Sequence, residues 1–179
     1  MKKHLTYLLM LCFLITSAQY ERGTIYLKDG STKQGLIKNR NSKDIKFKET
    51  GDSEIMTYDY NYISGYDTTD RFFRYKSEYK SSPILYELLT RGKINLYSLK
   101  KSSPGFAIPE GGGATFGGGA SSIYFIEKEE RFMKLGRKVN KGNLFYFTDC
   151  QILIKKIKSK EIKGTNVYNI IDFYNTSCD

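Results

Sequence analysis

Short runs of alternating residues, separated by tight-turn pairs, are the feature that most restricts the fold of this chain. In Gly23–Asp29, Ile25 and Leu27 alternate with Tyr26 and Lys28. That is the period of a strand with one buried face. Asp29-Gly30 follows, a strong tight-turn pair. Gln34–Lys38 then reads as the return strand, and Asp44–Lys48 alternates again with Ile45 and Phe47 on one face. Gly51-Asp52 is a second turn, and Glu54–Tyr60 and Tyr62–Tyr66 add two runs rich in Tyr, Ile and Met. Strands at a spacing of about ten residues predict a small antiparallel β-barrel or curved sheet over residues 19–69.

Residues 70–130 continue in mixed fashion. Phe73 and Tyr75 oppose Phe72 and Arg74, which predicts a strand leaving the barrel. Pro83–Arg91 reads as a short helix with Ile84, Leu85 and Leu88 inward and Gly92 as its stop. Ile94–Leu99 and Ser122–Lys128 read as an antiparallel hairpin with a long connection, residues 100–121. That connection holds Gly111–Gly113 and Gly117–Gly119 with Phe106 and Phe116 nearby. It has little to bury and a high ordering cost, so a flexible insertion is expected. Neither glycine run matches a phosphate-cradling pattern, since no Gly-Lys-Ser/Thr follows.

The period changes over residues 131–179. Phe132–Phe147 is ambiguous, with breaks at Gly136 and Gly142. Asp149 is placed to cap a helix through Lys158, in which Cys150, Leu153, Ile154 and Ile157 share a face. Thr165 is placed to cap a second, through Ser177, with Val167, Ile170, Ile171 and Tyr174 at the same spacing. The predicted class is therefore α+β: an N-terminal antiparallel barrel or sheet, a hairpin with a Gly-rich loop, and a C-terminal helical hairpin.

Residues 1–18 have the three parts of an export signal: Lys2-Lys3, the 11-residue apolar stretch Leu5–Ile15, and Thr16-Ser17-Ala18. Cleavage after Ala18 would leave Gln19 first. The apolar stretch is shorter than the roughly 20 residues a spanning helix needs. Leu9-Met10-Leu11 before Cys12 does not match a lipid-attachment site. A periplasmic or secreted location follows, where Cys150 and Cys178 are expected to pair as a structural staple. There is no Cys-x-x-Cys spacing for redox chemistry or zinc.

These runs also carry a resemblance. Gly23-x-Ile25-x-Leu27-x-Asp29-Gly30, Gly35-x-Ile37, Ile45-x-Phe47 and Ile63-x-Gly65-Tyr66 are joined by a leader ending Ser17-Ala18-Gln19. With the run from Phe147-x-Asp149-Cys150 to Tyr174-Asn175-x-x-Cys178, they resemble small exported proteins of unknown function from Bacteroidota. The resemblance implies export and no known activity, so it assigns no functional residue.

The single histidine, His4, lies in the leader. Its removal excludes imidazole from nucleophile pairs, metal ligation and acid/base catalysis. No metal or cofactor is expected. Without residues 1–18 the chain carries 27 basic against 19 acidic residues, a net charge of +8. That favours an anionic partner, and export makes nucleic acid a poor one. Lys155, Lys156, Lys158, Lys160 and Lys163 form the densest basic cluster, readable as an anionic-surface contact or as a solvated helix face. Tyr58, Tyr60, Tyr62 and Tyr66 are readable as an aromatic binding face for sugar or peptide, or as sheet packing. The sequence therefore points to a non-catalytic envelope module that binds a protein, a glycan or an anionic surface. An exported hydrolase using carboxylates or Tyr/Lys and a structural subunit of an envelope assembly are the alternatives.

Overall fold

The computed structural model describes residues 20–39, 43–78, 80–102 and 120–178. The segment expected to be an export signal and the Gly-rich stretch, with Phe106 and Phe116, lie outside them. The chain divides into two units between Tyr75 and Lys76.

The first unit is a meander of β1 (Glu21–Leu27), β2 (Thr32–Asn39), β3 (Ile45–Lys48), β4 (Met56–Tyr58), β5 (Ile63–Thr68) and β6 (Phe72–Lys76), the last residue of β6 falling in the second unit. The Asp29-Gly30 turn forms where the sequence places it. Gly30 sits at φ +89°, and the Ser31 N–H donates to Asp29 Oδ1 at 2.8 Å. Alternation then delivers Ile25, Ile37, Ile45, Phe47 and Ile63 to the interior, each no more than 2% exposed. Gly23 faces Gly35 across β1 and β2. A Cβ on Gly35 would collide with the Lys48 carbonyl and the Phe47 ring, so only glycine admits this packing.

Pairing is antiparallel in the order β6-β5-β1-β2-β3-β4. The order does not close, which corrects the barrel expectation: this is an open sheet. Strand β4 spans three residues and ends the strand order beside β3.

The second unit pairs β7 (Ile84–Thr90), β8 (Asn95–Ser102), β9 (Ala120–Lys128) and β10 (Arg131–Gly136) in the order β10-β9-β8-β7. Strands β8 and β9 form the expected hairpin, in register from Asn95 opposite Glu127 to Ser102 opposite Ala120. The predicted helix at 83–91 is instead β7. Its spacing at Ile84, Leu85 and Leu88 fits a helix, but Tyr86 is also fully buried. A strand covered on both faces loses its alternation, and a short apolar run then reads either way.

A 3₁₀ segment (Lys141–Phe147), α1 (Gln151–Lys158) and α2 (Val167–Ser177) follow. Their apolar stripes join Leu96, Ile126 and Leu135 in one core with Leu153, Ile170 and Ile171. Burying each of these aliphatic side chains contributes roughly 1.5–3 kcal/mol. The predicted caps do not form. The N-cap positions are Cys150 and Asn166, and neither makes a side-chain cap bond. Asp149 is drawn elsewhere, as described below. Cys150 and Cys178 stand at disulfide geometry, with Cα atoms 5.5 Å apart, and join the start of α1 to the end of α2. No helix among the described residues is long and apolar enough to cross a membrane.

Candidate functional site

Three carboxylates are held in the same way. In the first unit, Arg74 donates to both oxygens of Asp67, at 2.5 and 3.3 Å, and the Tyr26 hydroxyl donates to Asp67 at 2.7 Å. In the second unit, Glu127 accepts from Lys76, from the Tyr97 hydroxyl at 2.7 Å and from Asn95 at 3.3 Å. Asp149 accepts from Lys128 at 2.7 Å and from the Tyr174 hydroxyl. In each triad the cation also lies over the ring of the same tyrosine: Arg74 at 4.7 Å, Lys76 at 5.7 Å and Lys128 at 5.1 Å.

The protonation chemistry follows. Burial works to raise the Glu127 carboxyl, but its bonds from Lys76, Tyr97 and Asn95 outweigh burial and leave it below the usual carboxylate range. Asp149 behaves alike: burial opposes ionisation, and Lys128 and Tyr174 overcome it. The Tyr26 phenol is raised, first by its bond to Asp67 and then by burial. Tyr174 is raised by burial and by Asp149. These groups are stabilised in the forms they already hold at neutral pH. A general acid or base needs the opposite tuning.

The first unit carries an open groove of about 650 Å³, lined by Arg22, Gly23, Gly35, Glu49, Asp67 and Thr69 among others. Both oxygens of Asp67 are taken by Arg74 and Tyr26. Glu49 pairs with Lys33 at 3.6 Å. Among the described residues no group of three or more His, Cys, Asp or Glu side chains could hold a metal ion.

The structure separates the four predicted tyrosines. Tyr66 is 2% exposed, stacked on Phe73 and hydrogen-bonded by Asn39. Tyr58 packs edge-on against Phe47, and Tyr60 edge-on against Tyr75. Tyr62 is 64% exposed. The lysine cluster is brought together. Lys155, Lys156 and Lys158 occupy the last turn of α1, where the helix dipole favours cations. Lys160 follows at φ +65°. Lys156 pairs with Glu161 and lies over Phe173. Lys155, Lys158, Lys160 and Lys163 are exposed, with no acidic partner among the described residues.

The residues that single-cluster reasoning missed lie just upstream. Arg131, Lys134, Arg137, Lys138 and Lys141 are all exposed, with no ion pair among the described residues. Residues 131–163 thus hold ten basic side chains and two acids, Asp149 and Glu161. Both acids are engaged, by Lys128 and Lys156. Outside this segment, and without residues 1–18, basic and acidic residues balance at 17 each. Counting charge by segment rather than by run would have exposed this. No known family model matches the chain, and no curated protein or solved structure matches it either.

Proposed function

We propose that this chain is a non-catalytic binding module, exported and working outside the cytosol, which holds an anionic partner on the basic segment 131–163. The observation that carries the reading is charge placement. The whole net charge of the chain after residue 18 falls in 33 residues, and nine of the ten basic side chains there, all but Lys156, are exposed and have no ion pair among the described residues. Such a surface attracts anions over about a Debye length and speeds their encounter. The Cys150–Cys178 pair and the leader agree with export, as does the resemblance to small exported proteins from Bacteroidota. The hydrolase alternative has less support: the Asp67 and Glu127 carboxylates are committed to cations and tyrosines.

The experiment is retention of the chain from Gln19 onward on immobilised polyglutamate and on a sulfated polysaccharide. Retention at about 0.05 M salt, lost by about 0.5 M, is expected from screening. Changing Lys155, Lys156, Lys158, Lys160 and Lys163 together to Gln should bring elution forward. Elution in the void at low salt, or co-elution of variant and parent, overturns the reading. N-terminal sequencing of the exported protein should begin at Gln19; an intact Met1 start overturns export.

A further inference from the structure

Strand β10 ends the strand order, and its two-residue hairpin fixes which backbone groups face outward. Glu129 and Glu130 form the tip at φ +51° and +64°, the signature of a type I′ turn. Lys128 therefore faces Arg131 as a hydrogen-bonded pair, and Ile126 faces Met133 likewise. Phe132 and Lys134 occupy the alternate positions, opposite Glu127 and Phe125. Their N–H and C=O groups point away from β9. Among the described residues no backbone bond to them is present beyond the strand.

We propose that this edge accepts an acidic, extended peptide segment as an added antiparallel or parallel strand. The proposal deepens the binding-module reading and rests on it. Backbone bonds at Phe132 and Lys134 supply strand pairing. The charge of the occupant is set by what surrounds the edge. Arg131 and Lys134 lie on the strand, and Arg137, Lys138 and Lys141 continue past it, all exposed. A lysine on an edge strand also discourages self-pairing. One charge on the strand serves that purpose; three more cations beyond it do not add to it. They lengthen the basic track to match a segment longer than the strand. The Gly136 bulge, at φ +92°, limits pairing to the residues before it. The paired core of the occupant is then about four residues, with acidic residues on either side.

The test uses the chain from Gln19 onward and a synthetic decapeptide of alternating Glu and Val. A second peptide has the same sequence with alternate backbone amides N-methylated, which keeps charge and removes strand pairing. The first peptide should bind at least tenfold more tightly than the second. Amide hydrogen exchange at Phe132 and Lys134 should slow in its complex. Lys134→Pro, which removes an outward N–H and no bond to β9, should weaken the first peptide at least tenfold. Lys134→Gln should weaken it less. Equal binding of the two peptides, unchanged exchange at Phe132 and Lys134, or binding only to anionic lipid vesicles each overturns strand addition. If polyglutamate retention survives in those cases, the anion-binding reading stands while this proposal falls. If retention is also absent, both fall.

Discussion

Replacing Glu127 by Ala tests whether the Lys76–Tyr97–Glu127 triad holds the second unit together. The Tyr97 hydroxyl, on a residue 2% exposed, would lose its acceptor. Losing the carboxylate acceptor of a buried hydroxyl costs about 1–3 kcal/mol. The Lys76 side chain is 28% exposed and can rehydrate, so its lost ion pair adds only about 1 kcal/mol. The expected total is about 2–4 kcal/mol, measured as the shift in urea midpoint by far-ultraviolet circular dichroism. For a domain of about a hundred residues this lowers Tm by roughly 8–16 °C. Tyr97→Phe removes the hydroxyl without stranding anything and should cost about 1 kcal/mol. The double variant should therefore cost no more than Glu127→Ala alone, a departure from additivity of about 1 kcal/mol. A cost below about 0.5 kcal/mol for Glu127→Ala, or an additive cycle, would refute the reasoning. The pH dependence has a definite sign. The folded pKa of Glu127 lies below its unfolded value. Its contribution is therefore complete above the unfolded carboxylate range and is lost as pH falls through the folded value. The slope of stability against pH below about 4.5 should be shallower in Glu127→Gln, and not abolished, because Asp149 titrates in the same direction.

Further outcomes follow from other elements. Replacing Cys150 and Cys178 by Ala should lower stability by roughly 3 kcal/mol in the chain-entropy model, and non-reducing peptide mapping of the parent should recover the two peptides joined. Two free thiols in the protein isolated without reductant would contradict the pairing. Glu129→Asn with Glu130→Gly should raise the urea midpoint by the equivalent of about 1 kcal/mol, because both positions hold positive φ; a loss would show that the glutamates are held by something else. Gly35→Ala should destabilise the first unit by at least about 2 kcal/mol, from the collision with Lys48 and Phe47, and a neutral result would mean that β3 yields.

Local signals carried well where the local environment decides the structure. Asp29-Gly30, the alternation of Ile45 and Phe47, and the i, i+3, i+4 stripe of Val167, Ile170 and Ile171 all appear as their spacing requires. They failed where a distant partner decides. Asp149 suits an N-cap by type, yet the helix starts one residue later, at an N-cap of Cys150, and Lys128 and Tyr174, 21 and 25 residues away, both donate to its Oδ2. Tyr86 removes the alternation that would have marked β7 as a strand. The lysines of α1 were legible as a run, whereas the absence of an acidic partner for Lys155 and Lys158 among the described residues depends on where acids fall in space. Lys76 and Glu127 are 51 residues apart and carry no spacing signal at all. The open sheet was hidden for another reason: period and turns fix strand pairing but not whether the first and last strands meet.

The three carboxylate–cation–tyrosine knots share a chemical consequence. A phenol keeps its proton until strongly alkaline conditions, and Tyr26 and Tyr174 keep theirs longer still. Lys128 is likewise held protonated: burial opposes its charge, and Asp149 and Tyr174 more than offset that. With no imidazole after His4, the Asp149–Lys128–Tyr174 knot keeps its charges between mildly acidic and alkaline solution, its carboxyl lowered and its ammonium and phenol raised. A molecule fastened in this way holds that tie unchanged while the acidity around it drifts.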